Sequence, residues 1–251
     1  MDASDRRTVG RRQFLRTAGI AVTGLVLGGR PPGAMAQADP SRRLKIGVIG
    51  SGRIGGTVGG LWVKAGHEVM FSARHLDEVK KLAESLGPRA HAGTPREAAA
   101  FGEVVLISVP YAALPQIGQD LAAELKGKIV LDTCNPVPAR DGDMALAARA
   151  KGTGVASPEF LPGVRLVRAF NSVGFSAVRS EAHRAGEKVG IPLAGDDAGA
   201  LAVAARLVED AGFEPVVVGP LGRAKEFDAG TPVFGKALTA RELRRLLGLG
   251  S

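Results

Sequence analysis

The run Gly50-Ser51-Gly52-Arg53-Ile54-Gly55 sets three glycines at the spacing G-x-G-x-x-G. The chemistry open to such a run is recognition of a diphosphate. One glycine makes a tight turn, one lets the backbone approach the phosphates, and one lets a helix pack on a strand. The run needs a strand before it and a helix N-terminus after it, whose free N–H groups and partial positive charge face the anion. About 20 residues further on, a dinucleotide site with a free ribose places an Asp or Glu. Here Phe71 is followed by Ser72-Ala73-Arg74-His75, with no acid. A hydroxyl donor and a fork-shaped cation suit a 2′-phosphate, so the expected cofactor is NADP, with Ser72 and Arg74 on that phosphate. The plainer alternative leaves Arg74 a solvated loop cation and the site unselective. His75 reads as solvent-facing.

Two later stretches belong to the same crevice. Ser108-Val109-Pro110-Tyr111 and Asp132-Thr133-Cys134-Asn135-Pro136 close two apolar runs, where a nicotinamide and its ribose would lie. Val109 and Pro110 would pack on the ring, and Asn135 would bond the ribose. Cys134 is the only cysteine, which excludes an intramolecular disulfide and a cysteine-based metal cluster. No histidine is near it in sequence, so it reads as a small buried residue rather than a nucleophile. The four histidines (67, 75, 91 and 183) lack helical ligand spacing, and no metal site is expected. The net charge of +8 divides evenly, since residues 1–36 hold six Arg against two Asp and carry +4 of it. Without a dense basic stripe, and with one Trp and one Tyr, the chain offers little to nucleic acid.

The elements that must position these residues alternate strand and helix. Apolar runs at 44–49, 67–71, 103–109, 128–132, 165–170, 188–194 and 213–218 read as strands, with a short third strand around Ala90. Helical spacing covers 53–65, 76–86, a segment opened by Thr94-Pro95-Arg96-Glu97, 112–125, 174–185, 197–211 and a basic tail at 241–247. Strands that are apolar throughout and separated by helices make a parallel sheet covered on both faces. The expected fold class is therefore α/β, a doubly wound, mostly parallel Rossmann-type sheet. Its dinucleotide-binding domain spans 44–138, and a C-terminal α/β extension over 139–251 completes the sheet and the substrate cleft.

The first residues carry a different message. Arg11-Arg12 precede Gln13-Phe14-Leu15, an uncharged run follows at 17–29, and Ala34-Met35-Ala36 ends the segment. A basic start, a short apolar middle and a small-x-small end make a signal peptide. Thirteen uncharged residues fall short of the ~20 that span a bilayer. The paired arginines resemble the twin-arginine signal, whose export machinery, as the resemblance implies, carries folded proteins. The expectation is a signal over 1–36 cleaved after Ala36, with an uncleaved membrane tether as the lesser alternative, a linker over 37–43, no stable membrane span after cleavage, and a periplasmic or other extracytoplasmic location.

Taken together, GSGRIGG, FSAR, LISVPYAALPQI, KGKIVLDTCNP, VRAFNSVG and FEPVVVGPLGRAKEF resemble the NADPH-dependent coenzyme F-420 reductase family over nearly all of residues 44–228. The resemblance implies hydride exchange between NADP and a deazaflavin (coenzyme F-420) or flavin-like co-substrate. It carries over Ser72 and Arg74 for the 2′-phosphate, Val109 and Pro110 beside the nicotinamide, Asn135 near the ribose and Asn171 in the cleft between the halves. The same domain type serves ferric reductases, so a ferric complex stays open as the small-molecule redox acceptor. The export signal and Cys134 depart from the family pattern. No acid–base residue is expected, because hydride transfer between flat rings depends on positioning. An alcohol or imine reductase would need a proton donor, for which Tyr111 and His183 are the candidates. Hydroxyacid and pyrroline reductases also add a long helical C-terminal domain, for which little chain remains here. A different class of reading is a non-catalytic exported NADP-binding module, a sensor or assembly factor. The tail helix offers a surface for a homo-oligomer.

Overall fold

The computed structural model describes residues 42–250; the expected signal peptide and most of the linker lie outside them. The chain enters the sheet with β1 (Lys45–Ile49), turns into α1 (Arg53–Lys64), and returns as β2 (Glu68–Ser72). It continues through α2 (Leu76–Leu86), β3 (Ala90–Gly93) and α3 (Pro95–Phe101) to β4 (Val104–Ile107). Strands β4 and β5 (Ile129–Asp132) are buried at every position, which an apolar run achieves only when helices cover both faces. The strand order is β3-β2-β1-β4-β5-β6-β7-β8, with β6 (Arg165–Arg168), β7 (Gly190–Gly195) and β8 (Glu214–Gly219). Every pairing between these strands is parallel except β6 with β7. The order reverses between β1 and β4, so the crevice for a ligand opens at their C-terminal ends.

Local chemistry sets the element ends. Thr94 caps α3 in a capping box with Glu97, and Pro95 occupies the first helical position. One core layer joins Val58 and Trp62 of α1 to Ala204 and Leu207 of α9 (Ala198–Asp210). There the Trp62 indole N–H donates to the Leu207 carbonyl at 2.7 Å. Phe170 stands edge-on to both Trp62 and Phe213, each 6.2 Å away, and pairs of this kind add about 0.5–1.5 kcal/mol beyond burial. On the same side His67 accepts from the Leu44 N–H and meets Asp210 at 2.9 Å, fastening the start of the sheet to α9.

Three stretches differ from the sequence expectation. The helix expected over 112–125 is broken into a 3₁₀ turn (Tyr111–Ala113), α4 (Leu114–Asp120) and α5 (Ala122–Leu125). Residues 139–164, for which the sequence pattern gave no element, hold α6 (Pro138–Lys151) and α7 (Thr153–Phe160). Gly142 breaks α6 with φ +60°, and α7 carries Pro158 inside it, so neither shows a clean amphipathic stripe. The third, α8 (Phe175–Glu181), stops short of 185. His183, inside the helix expected over 174–185, instead lies beyond its end with φ +58° and donates its backbone N–H to the Gly212 carbonyl. The tail helix α10 (Ala240–Leu246) forms as expected and packs on β7 and β8.

Candidate functional site

The glycine run occupies the turn from β1 into α1, and its three glycines have separate tasks. Gly50 has φ +96°, and a Cβ on it would lie 2.2 Å from the Ser108 carbonyl oxygen. A Cβ on Gly55 would lie 2.1 Å from the Gly50 carbonyl oxygen. Both therefore serve tight packing of the loop against the end of β4. Gly52 differs: a Cβ there would meet nothing within 4 Å, so it faces the open side where a phosphate would rest. No side chain caps α1, which leaves the N–H groups of its first turn for an anion.

The loop is tied to the end of β2. The N–H groups of Gly50 and Ser51 both donate to the Ser72 carbonyl at 2.9 Å, and the Ser51 hydroxyl does so at 3.0 Å. Ser72 is thus at the loop, but not as the sequence suggested. Its side chain is fully buried and its hydroxyl donates to the Val48 carbonyl at 2.8 Å. A 2′-phosphate outside β2 would not meet that hydroxyl. The Ser72 hydroxyl sits on the inward side of the pleat, where an unpaired polar group would be costly. Arg74 is exposed beyond the strand end, with no ion pair among the described residues. Arg53 is exposed as well, its guanidinium 5.0 Å from the centre of the Phe175 ring at the start of α8.

The other wall comes from the ends of β4 and β5. Ser108 continues the β1–β4 pairing through its N–H to Ile49. The Val109 N–H points at the Cys134 sulfur at 3.5 Å, and Pro110 is exposed. Cys134 is buried, as a small residue at a strand end should be, and burial followed by the nearby Asp132 carboxylate pushes its thiol well up. Asp132 pairs with Arg168 across the β5–β6 ladder at 2.6 Å, both fully buried, and Asp228 stands 3.7 Å from the same guanidinium.

Asp141 was not foreseen, and it fastens the segments that follow β4 and β5 to each other within this wall. Its carboxylate takes the Ala112 N–H at 3.3 Å, the Val137 N–H at 2.9 Å and two bonds from Arg140 at 2.9 and 2.7 Å. Arg140 also donates to the Asn135 carbonyl at 2.8 Å. Bonding from Arg140 holds the Asp141 carboxyl below its ordinary range against the opposing effect of burial. No spacing in the sequence singles out this carboxylate, because its bond to Ala112 joins it to a segment 29 residues away.

Between the walls lies a cleft of about 300 Å³ that brings Arg53, Ile54, Asn135 and Asn171 together with Phe175 and Phe234. Phe175 and Phe234 were not anticipated; Phe234 belongs to a loop without periodicity. Neither candidate proton donor lines the cleft. Tyr111 is fully buried with its hydroxyl 3.2 Å from that of Ser157, and burial pushes its pKa up to about 12. His183 is exposed beyond α8. Among the described residues no group of three metal-ligating side chains occurs, and no helix is long and apolar enough to cross a membrane.

Comparison with known proteins falls on the same segment. Residues 45–136 match the family model described as NADP oxidoreductase, coenzyme F420-dependent. That match takes in the glycine loop, the end of β2 and both strand ends of the crevice. Among solved structures, a hypothetical protein from Sinorhizobium meliloti is 23% identical over 79% of this chain and 96% of its own, with a TM-score of 0.66. A putative F420-dependent NADP-reductase from Arthrobacter sp. FB24 is 22% identical over 78% of this chain and 99% of its own, with a TM-score of 0.62. An imine reductase from Myxococcus stipitatus, solved with NAD+, is 18% identical, and the match spans 75% of this chain but 59% of that one, with a TM-score of 0.55. These likenesses establish the shared Rossmann-type fold. No curated protein matches the chain.

Proposed function

We propose that the protein is an NADP(H)-dependent oxidoreductase whose acceptor is a small redox molecule of the deazaflavin (coenzyme F-420) or flavin type, or a ferric complex. The cofactor fits the residues present. Gly52 leaves open the space that a pyrophosphate needs, the first turn of α1 supplies uncapped N–H groups, and Arg74 stands free beyond β2 for a 2′-phosphate. The family match over 45–136 supports the same reading.

The observation that carries the reaction class is the lining of the cleft. Among the described residues it holds aromatic rings, amides, hydroxyls and one arginine, but no Asp, Glu, His, Lys, Cys or Tyr. Such a wall can hold and orient flat rings and exclude water, but offers no general acid near neutral pH. When bound, NADPH would supply a hydride, which needs an acceptor stacked at close range rather than a proton donor. Phe175 and Phe234 offer ring faces for that stacking. Asn135 and Asn171 offer amide groups at the floor.

The location belongs to the same proposal. Arg11-Arg12 and the short apolar run after them support export through the twin-arginine route of a protein already folded around its cofactor. The test is anaerobic oxidation of NADPH by the purified chain with coenzyme F-420, FMN or a ferric chelate offered in turn. Oxidation dependent on one of these is expected. Tight NADPH binding with no oxidation by any of them would contradict the enzyme reading and favour a non-catalytic cofactor-binding module.

A further inference from the structure

At the floor of the cleft stands an amide with nothing to bond. Asn171 is 3% exposed, yet neither its Oδ1 nor its Nδ2 has a hydrogen-bond partner. Asn135 donates its Nδ2 to the Asn171 backbone carbonyl at 2.7 Å, and its own Oδ1 is left buried and unpaired. Folded chains rarely leave three such atoms together unless something else completes them. The backbone is also strained here. Phe170 has φ +56°, a left-handed conformation that a bulky side chain disfavours. The edge-on contacts of its ring with Trp62 and Phe213 hold it there. The consequence is that the chain leaving β6 presents Asn171 to the cleft, and strain kept at such a place points to a use.

The unpaired atoms define their complement. Asn171 offers one acceptor and one donor in a single plane, and Asn135 adds an acceptor beside them. The walls near them, from Ile54, Val173, Phe175 and Phe234, are apolar. The ligand group must therefore be planar, carry an acceptor next to donors, and be attached to a flat apolar ring. A primary carboxamide on an aromatic ring meets all three conditions. We propose that Asn171, set in place by Asn135, reads the carboxamide of the nicotinamide ring and is a specificity-determining residue for that ring. The assignment rests on the reading that the protein binds NADP(H). Placement favours the cofactor over the acceptor as the partner, because Asn135 lies just beyond the C-terminal end of β5, the strand beside β4, on the crevice that the glycine loop opens.

The test is calorimetric titration with NADP+ and with its 3-acetylpyridine analogue, in which a methyl group replaces the amide nitrogen and the carbonyl is kept. The wild-type protein should prefer NADP+ by about five- to tenfold, the worth of one lost hydrogen bond. Asn171→Ala should bind the two equally while keeping its preference for NADP+ over NAD+, which a general collapse of the cleft would also erase. Asn171→Asp retains an acceptor for the amide N–H groups and should retain the preference. A wild-type protein that does not discriminate, or an Asn171→Ala variant that still does, overturns the proposal. So does a variant that binds NADP+ normally but loses lumichrome, a ring with an imide edge, since Asn171 would then serve the acceptor. Failure of the wild-type protein to bind NADP+ at all would instead remove the functional reading, and this proposal with it.

Discussion

Replacing Gly52 by Ala separates the cofactor site from the fold. Gly52 sits at φ −71°, ψ −155°, a conformation alanine also adopts. The new methyl group would meet no protein atom within 4 Å. Alanine in this position stabilises by about 0.4–1 kcal/mol through the unfolded chain and costs a similar amount as a poorer N-cap, so net stability should change by less than about 0.5 kcal/mol. The same methyl group projects into the space proposed for the pyrophosphate and holds it off the N–H groups of α1. Losing one charge-assisted hydrogen bond costs about 1.5–3 kcal/mol, which is about ten- to 150-fold in NADPH affinity. Thermal denaturation and calorimetric titration of the same sample read both quantities. Gly55→Ala is the contrasting control. Its Cβ would lie 2.1 Å from the Gly50 carbonyl oxygen, and it should destabilise the fold by about 1–3 kcal/mol. A stable Gly52→Ala protein that binds NADPH as well as the wild type would refute the reasoning.

Arg74→Ala should weaken NADPH binding by about 1.5–3 kcal/mol and leave NADH binding nearly unchanged; equal losses in the two titrations would remove Arg74 from the 2′-phosphate. Asp141→Asn should cost about 1–3 kcal/mol in urea denaturation, because the carboxylate binds backbone N–H groups from two loops as well as the half-exposed Arg140. Since its folded carboxyl is held below the ordinary range, that contribution should be present above about pH 4 and fade as the pH falls further, which an acid titration of the melting temperature measures. Burial raises the Cys134 thiol and the Tyr111 phenol, the latter to about 12. Their contribution is whole below the unfolded-state values and lost as the pH rises past about 8.5 for the thiol and about 10 for the phenol. Melting temperatures should therefore fall on the alkaline side, and Cys134→Ala should flatten the first part of that fall; an unchanged alkaline limb would show that the thiol takes no part.

The glycine loop was legible because the strand, turn and helix that form it follow one another in sequence, even though Gly50 and Gly55 also answer to Ser108 at the end of β4. The sheet was legible for a related reason, since strands buried on both faces are apolar runs, as VVLI is and as IVLD is up to Asp132, whose carboxylate pairs with the buried Arg168. Ser72 shows where the reading ends. Its residue type was right for a phosphate ligand, but only the pleat decides which way a strand residue points, and a shift of one position reverses it. Helices α6 and α7 escaped because Gly142 and Pro158 interrupt them and tertiary packing, not propensity, holds their shape. Asp141 and Phe175 meet distant partners in Ala112 and Arg53, and Phe234 reaches the cleft from a loop, so no local pattern marks them. Asn171 was visible as a residue of the cleft, but its unpaired amide and the left-handed Phe170 before it are facts of three dimensions.

The central claim is that the crevice between β1 and β4 holds NADP(H). It is tested most directly by calorimetric titration of the purified chain with NADPH and, separately, NADH. The account predicts saturation at one NADPH per chain, with NADH bound more weakly. A protein that takes up neither would contradict it, whatever its fold.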